Sequence, residues 1–172
     1  MNDVRMRVVA RAQELMRVRL ENYHQLEDRA CLYWAKATLI ALEEEGIRGV
    51  LQAGSASFER VPPELDDGVS STHFSYVWEE HSRTTLRMIV AGSMPEMHVW
   101  VAIPRLQEIV DLTTGYQVKQ CENLLGVDWL SVPPPKYLWS HVNDIERIHY
   151  EPSLSAIELA LYMLKMKPRG VN

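Results

Sequence analysis

The first quarter of the chain has a hydrophobic repeat of helical period, and neither Gly nor Pro occurs in residues 1–45. The apolar positions, three or four residues apart, are Val9, Ala12, Met16, Leu20 and Tyr23, then Leu32, Ala35, Leu39 and Leu42. This pattern predicts two helices joined near residues 22–28, where Asn, His and Asp side chains offer caps. With Asp28 as the N-cap, Cys31 lies in the first turn of the second helix, which Gly46 ends.

Beyond Gly46 the hydrophobic period shortens to that of a β-strand. Strands are predicted at residues 47–57, 73–78, 83–90, 98–103 and 109–113, with weaker ones at 137–142 and 147–150. Helices are predicted at residues 115–125 and from Ser153 to the stop at Pro168 and Gly170. We therefore expect a single α+β domain over residues 1–172, with N-terminal helices, the Cys31 helix packed on a mainly antiparallel sheet, and a closing helix.

Three residues in this framework carry side chains suited to nucleophilic chemistry: Cys31, His98 and Asp111. A thiol is a poor nucleophile until it ionises, and the free N–H groups and dipole at the first turn of a helix favour the thiolate. An imidazole can shuttle the proton, and a carboxylate behind the imidazole holds its tautomer. The combination predicts a Cys-His-Asp catalytic triad.

The two strands that carry His98 and Asp111 can be tested for register. If residues 104–107 form a four-residue loop, Ile103 faces Glu108, and His98 and Asp111 become diagonal neighbours on one face. Their backbones are then about 7 to 8 Å apart, which two side chains can bridge. A loop shorter or longer by one residue places them on opposite faces.

Three segments around these residues resemble one superfamily. ACLYWAKATLIALEEEGI resembles the cysteine helix of the transglutaminase-like superfamily of papain-like thiol enzymes, and MHVWVAI and EIVDLTT resemble its His-x-Trp-Val and Asp-x-Thr strands. The motifs lie in the same order within residues 29–115. The resemblance implies a transglutaminase-like, papain-like core in which Cys31 is the nucleophile, His98 the base and acid, and Asp111 the orienting group. It implies a hydrolase (thiol protease, amidase or deamidase) or an acyltransferase that works through an acyl-thioester.

The chain departs from the superfamily pattern in two places. Ala30 stands where many members have Gly, and Met97 precedes the histidine where a longer loop is common. An alternative function is a catalytically inactive transglutaminase-like scaffold that binds a protein partner. Taken singly, Cys31 is a small buried hydrophobe, His98 a core histidine, and Asp111 a turn carboxylate that accepts from the following Thr N–H groups.

Weaker candidates for substrate binding are Gln25, Trp34 and Trp100. Gln25 precedes Cys31 by six residues, an offset comparable to that of the oxyanion-hole amide of papain-like enzymes, although the backbone N–H of Cys31 is the more dependable donor. The two tryptophans would line an acyl-binding cleft, but aromatic residues beside such motifs belong mainly to the core. The second cysteine, Cys121, is expected to be structural and unbridged.

The charge composition of the chain argues against a nucleic-acid partner. With 18 Lys+Arg against 23 Asp+Glu, a net charge of −5 and no long basic run, the chain has no nucleic-acid footprint. The N terminus resembles no secretory signal and no segment is apolar enough to cross a bilayer, so we expect a cytoplasmic protein without a membrane partner. The His and Cys spacings fit no zinc pattern, and we expect neither a metal nor a cofactor. The expected substrate is a peptide, a protein or a small amide; the oligomeric state is left open.

Overall fold

The computed structural model of the chain describes residues 2–20, 30–65 and 71–165. The described residues form an α+β fold with five α-helices and six strands in one sheet. The helices are α1 (Asn2–Leu20), α2 (Ala30–Glu44), α3 (Arg83–Ala91), α4 (Gln117–Leu125) and α5 (Leu154–Lys165). The strands are β1 (Val50–Glu59), β2 (His73–Tyr76), β3 (His98–Ile103), β4 (Glu108–Asp111), β5 (Leu138–His141) and β6 (Ile148–Pro152). The predicted joint at residues 22–28, with Gln25 and the Asp28 cap, and the predicted stop at Pro168 and Gly170 lie outside the described residues.

The two N-terminal helices pack against each other and confirm the helical repeat. Ala12 and Met16 of α1 are buried as predicted, although Val8 rather than Val9 is the fully buried valine of the first turns. Helix α2 lies between α1 and the sheet, so it is buried on more faces than one stripe predicts. Its end is also as predicted, because Gly46 takes a left-handed conformation with φ of 71°.

Strand β1 is the centre of an antiparallel sheet. Strand β3 pairs with residues 50–54 of β1 and β2 pairs with residues 56–59, so the two follow each other along one edge. Strand β6 pairs with residues 54–58 along the opposite edge, while β4 and β5 extend the sheet beyond β3. Because β3 and β2 pair with the same edge of β1, His98 at the start of β3 lies beside Tyr76 at the end of β2.

The buried side of β1 changes at Gly54. Before it, Leu51 packs into the main core with α2; after it, Phe58 packs into a second cluster on the other face of the sheet. A Cβ atom on Gly54 would lie only 2.1 Å from the carbonyl oxygen of Glu151. The absence of a side chain at Gly54 therefore allows β6 to approach β1 closely.

The predicted strand at residues 83–90 is wrong, because this segment is helix α3. Its β-branched residues favoured a strand, but both ends are capped as a helix. The Ser82 side chain accepts a hydrogen bond from the Thr85 N–H, and Gly92 closes the helix at φ of 72°. The other predicted strands and helices have counterparts within the described residues. No described helix combines the length and apolar character needed to cross a membrane.

Candidate active site at the start of strand β3

The predicted hairpin register is confirmed and brings His98 and Asp111 together. Ile103 pairs with Glu108, and Gln107, with φ of 53°, closes the four-residue connection. His98 Nε2 lies 2.7 Å from Asp111 Oδ2, and each side chain is 1% exposed. The two side chains therefore form a direct hydrogen bond in a place that bulk water does not reach.

Both oxygens of the Asp111 carboxylate are occupied. Oδ1 accepts from the backbone N–H of Thr113 at 2.9 Å and from its hydroxyl at 2.6 Å. Oδ2 accepts from the Tyr150 hydroxyl at 2.8 Å in addition to His98. Asp111 is thus both the turn carboxylate and the partner of His98, one oxygen serving each role. A buried carboxylate with this many donors remains ionised.

His98 and Asp111 each stabilise the charged form of the other. Burial alone lowers the pKa of His98, but the charge and hydrogen bond of Asp111, with a smaller contribution from Cys31, raise it overall to about 10. Burial alone raises the pKa of Asp111, but the charge and hydrogen bond of His98 and the bonds from Thr113 hold it below its usual value. The structure therefore favours an imidazolium-carboxylate pair at neutral pH.

Aromatic rings hold the imidazole plane in place. Tyr76 and Tyr150 stack on His98 with ring centroids 5.1 and 6.1 Å away, and Trp100 stacks at 6.2 Å. Phe58 meets the imidazole edge-on at 5.7 Å. Rotation of the ring would break these contacts as well as the bond to Asp111. The orientation of both ring nitrogens is therefore defined by packing.

Cys31 lies in the first turn of α2, as predicted, and its side chain is half-buried. It lies close enough to His98 to contribute to the raised pKa of the imidazole by hydrogen bonding and charge, and it adds to burial in raising the pKa of Tyr76. His98 Nδ1 is buried and has no partner of ordinary hydrogen-bond geometry among the described residues. Since Nε2 is taken by Asp111, Nδ1 is the ring nitrogen available to Cys31.

The weaker candidates have different positions. Trp34 is 6% exposed and packs in the main core, with Tyr116 at 6.5 Å. Trp100 is 2% exposed and lies against Tyr150, with centroids 4.8 Å apart, as well as against His98. Gln25 lies outside the described residues. The two tryptophans therefore contact the core and the His98 ring with nearly all of their surface.

The sequence reasoning missed the two tyrosines of the site. Tyr76 and Tyr150 come from β2 and β6, and both pair with Ala56 from opposite edges of β1. Only the pairing of these distant strands brings the tyrosines to His98, and no local motif signals it. Thr113, in contrast, was present in the Asp-x-Thr motif as a residue that bonds Asp111.

Cys121, which the sequence predicts to be structural, lies in the interior. It is 1% exposed, it packs in the second cluster with Phe58 and Phe74, and burial raises the pKa of its thiol. Both cysteines are free thiols in the structure. Among the described residues, no three His, Cys, Asp or Glu side chains are grouped so that they could hold a metal ion.

Comparison with protein-family models, with curated proteins and with solved structures finds no match to this chain. The chemistry of the site therefore has to be inferred from its own residues.

Proposed function

We propose that the protein is a cysteine-nucleophile enzyme that cleaves an amide or ester bond through an acyl-thioester at Cys31. The observation that carries the proposal is the buried His98-Asp111 bond of 2.7 Å, which leaves the second ring nitrogen of His98 available to Cys31. The three motifs also occur along the chain in the order that the transglutaminase-like superfamily has, which supports a transglutaminase-like core.

In the acylation step, Cys31 Sγ attacks the carbonyl carbon of the substrate, and His98 holds the thiol proton on Nδ1. The imidazolium is stabilised through its Nε2–H by the Asp111 carboxylate. When the tetrahedral intermediate collapses, the bond to the leaving amine or alcohol breaks and His98 donates its proton to that group. The backbone N–H groups of the first turn of α2, including that of Cys31, are positioned at a helix start, where they favour a developing oxyanion.

In the second step, water or an amine attacks the thioester carbonyl. His98 takes a proton from this nucleophile and returns it to the sulfur as the carbon-sulfur bond breaks. Hydrolysis and acyl transfer differ only in that nucleophile. A protease, an amidase, a deamidase and an acyltransferase would all use Cys31, His98 and Asp111 in the same roles.

The test is to trap the acyl-enzyme. The full-length protein is incubated with p-nitrophenyl acetate and, separately, with a mixed pool of peptides and small amides, and is then digested and weighed by mass spectrometry. We expect an acyl adduct on the peptide that contains Cys31, and a stoichiometric burst of p-nitrophenolate. Cys31→Ala should abolish both, and Cys121→Ala should retain both. A wild-type protein that forms no adduct at Cys31 would instead be a non-catalytic binding scaffold.

A further inference from the structure

The free edge of β2 borders a groove next to the candidate active site. The groove has a volume of about 380 Å³, and all four residues of β2 line it. The other lining residues are Ser71, Glu96, Leu124 and Leu125. Strand β2 pairs with β1 alone among the described strands, so its other edge faces the groove without a neighbouring strand.

The backbone of β2 presents hydrogen-bonding groups to this groove. Arg60 N donates to Thr72 O at 2.8 Å, whereas Glu59 N donates to Arg147 O on the β6 side. Because these directions alternate along an antiparallel strand, Phe74 and Tyr76 bond to β1, and the N–H and C=O of His73 and Ser75 point to the open edge. The Ser71 hydroxyl occupies the His73 carbonyl, so Ser75 in mid-strand offers a complete donor and acceptor pair.

The side chains of the groove define what would suit it. Leu124 and Leu125 form an apolar wall on α4 and are 65% and 53% exposed. Glu96 is exposed and contributes negative charge to a chain whose net charge is −5. An extended peptide satisfies the open edge with its own backbone, and a basic side chain complements Glu96.

The groove leads to the candidate active site through Tyr76. This residue is the last of β2, it lines the groove, and its ring stacks on His98 at 5.1 Å. Glu96 lines the same groove as Tyr76. Burial is the main cause that raises the pKa of the Tyr76 hydroxyl, and the charges of Cys31 and Glu96 add to it. A strand laid along β2 therefore continues toward Cys31.

We propose that the β2 groove binds an extended peptide as an added strand, with an apolar side chain against Leu124 and Leu125 and a basic side chain against Glu96. Residues two apart in a strand point to the same face, so the apolar and basic residues of the ligand are separated by one residue. This inference names the substrate class of the proposed enzyme and rests on that function only in treating the bound peptide as a substrate.

The test measures binding without catalysis. Full-length Cys31→Ala protein is titrated with a fluorescein-labelled heptapeptide, Thr-Val-Leu-Thr-Lys-Val-Thr, and anisotropy is recorded. We expect Ser75→Pro to weaken binding about tenfold, because it removes the outward N–H and leaves the bonds to β1 intact, whereas Ser75→Ala should bind normally. Glu96→Gln should weaken binding about two- to fivefold, and Glu79→Gln, at another exposed carboxylate, should not change it.

A second peptide tests the same backbone hydrogen bonds without depending on the fold of the proline variant. The same peptide N-methylated at alternate amides cannot form a ladder, and it should bind the unmutated edge of the Cys31→Ala protein about tenfold more weakly than the parent. Equal binding of both peptides would overturn the proposal, as would a dimer that Ser75→Pro dissociates, since a second copy would then occupy the edge. Acylation of Cys31 by an ester without peptide binding would overturn this inference alone; peptide binding without acylation would overturn only the enzymatic function.

Discussion

His98 Nε2 and Asp111 Oδ2 lie 2.7 Å apart where each side chain is 1% exposed. A buried ion pair costs desolvation energy that its own attraction repays only when the remaining hydrogen-bonding positions are filled. Thr113 and Tyr150 fill those positions on the carboxylate, and Cys31 is the neighbour of the remaining ring nitrogen, Nδ1 of His98. Removing Asp111 leaves the buried imidazole without its partner, and removing His98 leaves the buried carboxylate without the positive charge that balances it.

Asp111→Asn tests this dependence. The substitution preserves the shape of the side chain but removes the charge that raises the His98 pKa. We expect the free energy of unfolding at neutral pH to fall by about 3 kcal/mol, the cost of breaking a buried pair. Urea denaturation measures it, with Glu79→Gln, at an exposed carboxylate, as the control that stays within about 0.5 kcal/mol of the wild type. A loss below about 1 kcal/mol for Asp111→Asn would show that the pair is not ionised.

The His98-Asp111 pair also makes the free energy of unfolding depend on pH. The pKa of His98 rises from an unfolded value of 6.5 to about 10, so its contribution is complete below the unfolded pKa and is lost as the pH rises through about 10. The pKa of Asp111 is lowered from 3.8, so its contribution is present above that value and is lost as the pH falls below it.

We therefore expect the stability difference between wild type and His98→Gln to be largest between about pH 4 and about pH 6.5 and to shrink on both sides. Urea denaturation of the two proteins across this range, from acid to strongly alkaline buffer, measures it. A difference that stays constant with pH would show that His98 is neutral in the folded protein.

The pattern of the sequence predicts the local part of the site and not the part made by distant strand pairing. Alternation in β3 and the short loop after it set the register, so the His98-Asp111 contact follows from sequence. Tyr76 and Tyr150 reach His98 only because β2 and β6 pair with opposite edges of β1, an arrangement that period-two alternation does not encode. The error at α3 has a different origin, because local caps at Ser82 and Gly92 outweigh the strand preference of its β-branched residues.

Tyr150→Phe tests the role of the Tyr150 hydroxyl, which donates to Asp111. It removes one of the two hydrogen bonds that Asp111 Oδ2 accepts and keeps the ring that stacks on His98. We expect a loss of about 2 kcal/mol of stability, as for a hydrogen bond to a charged group, and loss of stability at a higher pH on acidification, because the carboxylate keeps fewer donors. Tyr162→Phe, at a 59% exposed tyrosine, is the matched control and should change neither quantity. An unchanged acid response in Tyr150→Phe would contradict the role.

Gly54→Ala tests the close approach of β6 to β1. The added Cβ atom would lie 2.1 Å from the Glu151 carbonyl oxygen, so the backbone of one strand must move. We expect thermal and urea denaturation to show a loss of about 3 kcal/mol, at the upper end for overpacking. Gly46→Ala is the control, because its Cβ atom meets nothing within 4 Å and only the left-handed backbone, with φ of +71°, is strained. That variant should lose about 1 kcal/mol. Similar losses in the two variants would mean that β6 adjusts freely.

Alkylation compares the two thiols directly. Cys31 is half-buried and lies beside the imidazole of His98, whereas Cys121 is 1% exposed and burial raises the pKa of its thiol. We expect iodoacetamide at about pH 6 to modify Cys31 at least about tenfold faster than Cys121, and His98→Gln to remove most of that difference. Peptide mapping by mass spectrometry follows both sites, and the same reaction in denaturing urea should make their rates equal. If native Cys31 reacts no faster than it does in the unfolded chain, its thiol is not activated, and the scaffold without catalysis becomes the better account.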